Sequence, residues 1–269
     1  MAIAIILLAL AAVYLLLIRC RSGHPGLQAM EGFSYAHRGL HDKPQVPENS
    51  MAAFRASLEK GYGIEFDIHL LKDGNIAVIH DAALIRTTGA EGYIEDLTTE
   101  DLKNYRLEGT EEVIPTFRDL LDLYAGKAPL VIELKPEHGN HEALVDAAVA
   151  QMEGYEGAWC MESFDPRCLM VLKKKYPHII RGFLSQNFLE SDKKMHRALA
   201  FVLAHCLCNF LTVPDFIAYR FDHRKYSPSV AICRRLWKAK AVTWTLRTPE
   251  EHAAALSEGW LPIFENYIP

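Results

Sequence analysis

Cysteine is scarce in this 269-residue chain, and the six present (Cys20, Cys160, Cys168, Cys206, Cys208 and Cys233) form no C-x-x-C pair. That excludes the ordinary zinc-ribbon spacing. Cys206 and Cys208 stand too close for such a pair and read as alternation along a strand. A chain this long can bury a core without cross-links, so free thiols are expected. A basic surplus is missing too. With 29 Lys and Arg against 34 Asp and Glu the net charge is −5, which argues against a nucleic-acid surface. No repeat of fixed period is visible, which sets aside repeat architectures.

Charge is absent from residues 1–18, which are almost wholly apolar, and the first positive residues, Arg19 and Arg21, follow them. A cleaved signal peptide carries its positive charge before the apolar run. Eighteen helical residues span about 27 Å, close to a bilayer core. The expectation is a single-pass transmembrane anchor over 1–18, a lipid-bilayer partner, a linker over 19–30 and a domain over 31–269. Positive charge on the C-terminal side places that domain in the cytoplasm, at the cell membrane.

Half of the residues are hydrophobic. Beyond Phe33 they fall into alternating strand-like and helix-like stretches. Strands are expected at 33–36, 64–70, 76–79, 130–134, 158–164, 179–184, 207–212, 241–246 and 263–265. Helices are expected at 49–60, 116–123, 141–152, 166–176, 191–204, 227–238 and 249–257. About eight β/α units in some 240 residues fit a TIM (β/α)8 barrel, whose chemistry lies at the C-terminal strand ends. His37, Glu65, Asp67, His80, Glu133 and Lys135 all fall at or near such ends.

The stretch 63–81, GIEFDIHLLKDGNIAVIHD, carries the strongest chemical signal. Glu65 and Asp67 alternate with apolar residues, so both carboxylates face one side of a strand, their Cα atoms about 7 Å apart. Two carboxylates so placed can share one hard divalent cation. A second apolar run then delivers His80 and Asp81. Trp244, ending another strand, packs either on a small alcohol or in the core. Asn49 is either a helix cap or a polar contact beside the carboxylates. His69 fits a buried histidine better than a substrate contact.

In order, the chain carries His37-Arg38-Gly39, Pro47-Glu48-Asn49-Ser50, Glu65-x-Asp67, Lys72-Asp73-Gly74, Val78-Ile79-His80-Asp81 and Glu133-Leu134-Lys135. This set resembles the glycerophosphodiester phosphodiesterase family. The resemblance implies a TIM barrel with an insertion after the second strand, here at 82–115. It also implies metal-dependent hydrolysis of glycerophosphodiesters to sn-glycerol 3-phosphate and an alcohol, in phospholipid metabolism. Glu65, Asp67 and Glu133 would hold one Ca2+ or Mg2+, with Glu48 completing the site directly or through water. Arg38 and Lys135 would bind the phosphate, and Trp244 the glycerol. His37 and His80 would form the acid/base pair, with His80 protonating the leaving group. Two other readings stay open: lysophospholipase D-type activity on membrane lysophospholipids, and an inactive membrane-tethered binding protein. The family's W-T-V-N appears here as Trp244-Thr245-Leu246-Arg247, and its closing D-G-x-x-T-D-x-P is altered. Both changes bear on the alcohol side of the pocket, where Arg247 either recognises an anionic head group or forms a surface ion pair.

Overall fold

The computed structural model describes residues 1–190 and 195–269. Among the described residues nine strands form one sheet: β1 (Tyr35–His37), β2 (Gly63–Leu70), β3 (Ile76–Val78), β4 (Leu130–Leu134), β5 (Trp159–Ser163), β6 (Arg181–Ser185), β7 (Phe216–Arg220), β8 (Lys240–Leu246) and β9 (Leu261–Phe264). All neighbours pair in parallel except β3, which runs antiparallel to the end of β2. Because β1 pairs with both β2 and β9, the other eight strands close into the expected barrel. Closure leaves only the short β3 as an added edge.

Two apolar layers hold it. Outward-facing Ile64, Phe66, Ile132, Met161 and Phe183 meet the surrounding helices, all fully buried. Inside, Tyr35, Val131, Cys160, Phe216, Val242 and Ile263 fill the lower barrel. Local signals start the helices where the chain must turn back. Ser50 accepts from Ala53 N, Thr116 and Asp119 form a capping box, and Asp165 and Thr248 precede Pro166 and Pro249 at their first turns.

Residues 82–115 form an excursion with its own small core, in which Leu84, Ile94, Leu102, Leu107 and Ile114 pack on Leu71, Ala77 and Ile79. This fastens the excursion to the β2–β3 hairpin, beside the C-terminal end of the barrel.

Three expectations need correction. The apolar run 207–212 is not a strand. It contains a short helix, Asn209–Thr212, and the strand lies beyond Pro214, at Phe216–Arg220. An apolar run of that length does not by itself separate strand from helix. Of the helix expected over 191–204, residues 191–194 lie outside the described residues, and the helix runs Arg197–Ala204. The transmembrane anchor over 1–18 is not supported. The N-terminal helix is Ala2–Leu17, 16 residues or about 24 Å long, and among the described residues no helix is long and apolar enough to cross a membrane. Its far end docks on the barrel instead. Tyr14 Oη lies 2.8 Å from Ser229 Oγ, and Ile18 and Cys20 are buried in the core. The expected linker also packs: Leu27 and Met30 plug the bottom of the barrel against Tyr35 and Phe216. The rest of the N-terminal helix, residues 2–13, stays exposed on every side.

Candidate active site

The cavity at the C-terminal end of the barrel has a volume of about 180 Å3. His37, Arg38, Glu65, His80, Glu133, Lys135 and Trp244 all reach it. Strand register explains much of this convergence. Asp67 pairs with Glu133 across β2 and β4, Glu133 with Glu162 across β4 and β5, and His37 with Glu65 across β1 and β2. Neighbouring residues at one level of a closed parallel sheet point to the same side, so these groups meet inside.

Glu65, Asp67 and Glu133 each offer an oxygen within 4.8 Å of the others, and all three are buried. Glu65 Oε2 has no hydrogen-bond partner, and Asp67 Oδ1 meets only an ion-pair contact from Lys135. Burial, with Asp67 and Glu133 beside it, pushes the Glu65 carboxyl well up. Burial and Asp67 raise Glu133 as well. At Asp67 the opposing cations Lys135, His80 and Arg38 outweigh burial and hold the carboxyl well down. Three buried carboxylates that repel one another and keep an oxygen unpaired fit a hard divalent cation, which supplies the missing charge and takes oxygen ligands. Lys135 now supplies part of that charge, with Nζ 2.7 Å from Glu133 Oε1 and 3.1 Å from Asp67 Oδ1.

Glu48 is placed elsewhere. It lies outside the three-carboxylate cluster, and three cations take its oxygens. Arg38 Nη1 donates to it at 2.8 Å and Arg86 Nη2 at 2.7 Å, and Lys43 makes a third contact. Arg38 also places Nε 3.4 Å from Asp67 Oδ2, so one guanidinium bridges Glu48 to the cluster. Asn49 proves to be the polar contact, since its Nδ2 donates to Asp67 Oδ2 at 3.0 Å while Ser50 caps the helix. Arg38 and Asn49 both hold left-handed backbone, with φ of 56° and 54°. Non-glycine residues adopt that conformation only when their surroundings enforce it. Here two backbone hydrogen bonds do so, Arg38 N to Glu65 O and Asn49 N to Arg38 O.

Each histidine has its own carboxylate. His37 Nδ1 lies 2.6 Å from Glu265 Oε2, just past β9, and Glu265 is held in turn by Arg247 Nε at 2.8 Å. Burial and the Arg38 charge lower His37 to about 4. Burial alone would raise Glu265, but His37 and Arg247 bring it to about 2. An ionised Glu265 only accepts, so the neutral imidazole donates from Nδ1 and keeps the Nε2 lone pair free. His80 Nδ1 lies 2.5 Å from Asp81 Oδ1, and Arg86 binds the other Asp81 oxygen. His69, buried as expected, donates from Nε2 to the His80 carbonyl at 3.2 Å and braces that loop.

Sequence reasoning missed Arg86, Glu265 and Glu162. Arg86 sits on a one-turn helix, Ile85–Thr88, in the excursion after β3, with no motif to mark it. Glu265 and Glu162 did leave a signal, being acidic residues at the ends of apolar strands. Arg247 pairs with Glu265 and also lines the cavity, so the ion pair is formed at the pocket itself, where an anionic head group would meet the same side chain. Trp244 borders the cavity and packs edge-on to Phe164, ring centroids 5.5 Å apart.

Comparison with known proteins agrees with this geometry. The family model described as "Glycerophosphoryl diester phosphodiesterase family" matches residues 37–268. A glycerophosphodiester phosphodiesterase of Caldanaerobacter subterraneus is 35% identical over 167 residues, covering 58% of this chain and 68% of that protein. A second, from Bacillus altitudinis, is 34% identical over 166 residues, covering 58% and 67%. A phosphodiesterase of Oleispira antarctica, solved in complex with the product sn-glycerol 3-phosphate, shares the fold with a TM-score of 0.71 and 21% identity. That match covers 90% of this chain and 95% of the other. Matched over most of its length, with a TIM barrel and its acidic and histidine groups gathered at one end, the chain belongs to the glycerophosphoryl diester phosphodiesterase family and is a phosphoric diester hydrolase.

Proposed function

We propose that this chain hydrolyses glycerophosphodiesters to sn-glycerol 3-phosphate and an alcohol, with one Ca2+ or Mg2+ held by Glu65, Asp67 and Glu133. The observation that carries the reading is the pair of carboxylate-held histidines on a single cavity with the three-carboxylate cluster. A bound cation supplies Lewis acidity toward a phosphoryl oxygen. The protein's own groups do the rest. Arg38 offers a planar fork to a non-bridging oxygen. Lys135, which lines the cavity beside Glu133 and Asp67, would add a second positive charge for the phosphate.

His37, neutral and fixed by Glu265, accepts the proton of the attacking hydroxyl at Nε2. His80, oriented through Nδ1 by the Asp81 carboxylate, gives a proton to the departing alkoxide. The attacking hydroxyl comes from water or from the glycerol itself, the second route giving a cyclic phosphate first.

A lysophospholipid substrate is the second reading. It is favoured by an adjoining groove of about 230 Å3 that shares Lys135 and Phe164 with the cavity and passes Phe188, Met195 and Leu203. An inactive binding protein is the poorer reading, because both histidine pairs are intact. Cell-membrane attachment is proposed from the exposed apolar helix Ala2–Leu17, and the cytoplasmic side for the barrel from Arg19 and Arg21 that follow it. Incubation with glycerophosphocholine and with lysophosphatidylcholine, with products identified, tests the reading. Choline and sn-glycerol 3-phosphate from the first support it. No product from either refutes it.

A further inference from the structure

Glu162 has no place in the scheme above, yet it faces the same cavity. β5 presents it in register with Glu133. Its side chain is buried, with the residue 1% exposed, and Oε2 has no hydrogen-bond partner. It lies outside the cluster of three carboxylates, and the nearby Lys135 ammonium is already shared by Glu133 and Asp67. A buried acceptor without a donor is costly, so one that lines a cavity is matched to a donor on the ligand. Trp244, on the same cavity, adds an unpartnered donor at Nε1.

An ionised phosphodiester has acceptors only, and Arg38 and Lys135 serve those. The donors of a glycerophosphodiester are the hydroxyls of its glycerol, and each hydroxyl can also accept from an indole N–H. Resting on the functional reading above, we propose that Glu162 accepts a hydrogen bond from a glycerol hydroxyl and so selects glycerol as one alcohol of the diester. A pocket that leaves a buried polar group unpaired when the hydroxyl is missing discriminates strongly against the hydroxyl-free ligand.

The test compares sn-glycerol 3-phosphate with propyl phosphate, which has the same chain length and no hydroxyl. Binding of both to the full-length chain with Mg2+ is measured by calorimetry for wild type, Glu162→Leu and Glu162→Gln. Wild type should prefer glycerol phosphate. Glu162→Leu should weaken glycerol phosphate by about 10–100-fold, the range for a buried hydrogen-bonding group left without its partner, and change propyl phosphate by less than about 3-fold. Glu162→Gln keeps a carbonyl acceptor and should fall between. If Glu162→Leu does not fold, judged by circular dichroism, the Gln variant carries the same comparison.

Equal weakening of both ligands would mean that Glu162 orders water around the cation, and would overturn the proposal. So would no change in either, or a wild type without preference. A wild type that binds neither phosphate and cleaves no diester overturns the functional reading and this proposal together.

Discussion

Glu265, at the end of the last barrel strand, places Oε2 2.6 Å from Nδ1 of His37 on the first. The seam that closes the barrel therefore also orients an imidazole in the cavity. Glu265→Gln keeps the size of the side chain but loses the charge that fixes the tautomer. It should lower kcat by about 10–100-fold, part of the range for general acid–base catalysis, with KM changed little. Steady-state kinetics on glycerophosphocholine measure this. A defect confined to KM would mean that Glu265 serves the substrate rather than His37.

The two histidines should separate by leaving group. Removing either should lower kcat on glycerophosphocholine by about 10²–10⁴-fold. A p-nitrophenyl ester needs little protonation of its leaving group. It should partly rescue His80→Ala and leave His37→Ala defective. Rescue of His37→Ala instead would exchange the two roles.

Glu48 is predicted to matter for stability more than for the cation. Burial would raise its carboxyl, but Arg86, Arg38 and Lys43 hold it well below the usual range. A depressed carboxyl stabilises the fold above its unfolded pKa of about 4.5 and loses that contribution as pH falls toward its folded value. Glu48→Gln should therefore cost on the order of 3 kcal/mol at pH 7, as expected when one partner of a buried ion pair is removed. The difference from wild type should shrink below about pH 4.5. Denaturant unfolding at pH 7 and pH 3.5 measures both. Cation affinity in the same variant should stay within about 3-fold of wild type, and its loss would place Glu48 back among the ligands.

Gly39 is required by geometry. Its φ is +80°, and an added Cβ would lie 2.8 Å from Ala53 Cβ and 2.9 Å from that residue's carbonyl carbon. Gly39→Ala should destabilise the chain by about 1–3 kcal/mol through left-handed strain and the clash with the helix Met51–Glu59. It should also shift Arg38, next in the chain, and raise KM. A thermal melt unchanged from wild type would contradict this.

Much of this architecture was legible in the sequence because it is periodic. Alternating apolar strands and helical stripes gave the barrel, and the two-residue spacing of Glu65 and Asp67 put both carboxylates inside. What stayed hidden depends on contacts between distant residues. Glu48 is next to Asn49, whose amide does reach the cluster, yet its own partner Arg86 comes 38 residues later, from a one-turn helix, Ile85–Thr88, too short to leave a periodic signal. The N-terminal helix has the composition of a membrane span, but Tyr14 and Ile18 dock on the barrel and leave 16 helical residues, a tertiary fact that hydropathy does not carry. The run 207–212 has no decisive period, and packing makes it a helix.

The central claim is that Glu65, Asp67 and Glu133 hold a cation on which hydrolysis depends. The direct measurement is release of choline from glycerophosphocholine by chelator-treated protein as Mg2+ or Ca2+ is added back, for wild type and Glu133→Gln. The account predicts a chelated wild type that is almost inactive and regains activity on saturating a single class of site. It predicts a folded Glu133→Gln chain that stays inactive until far higher cation concentrations. Full activity of the chelated wild type, or the same cation dependence in Glu133→Gln, would contradict it.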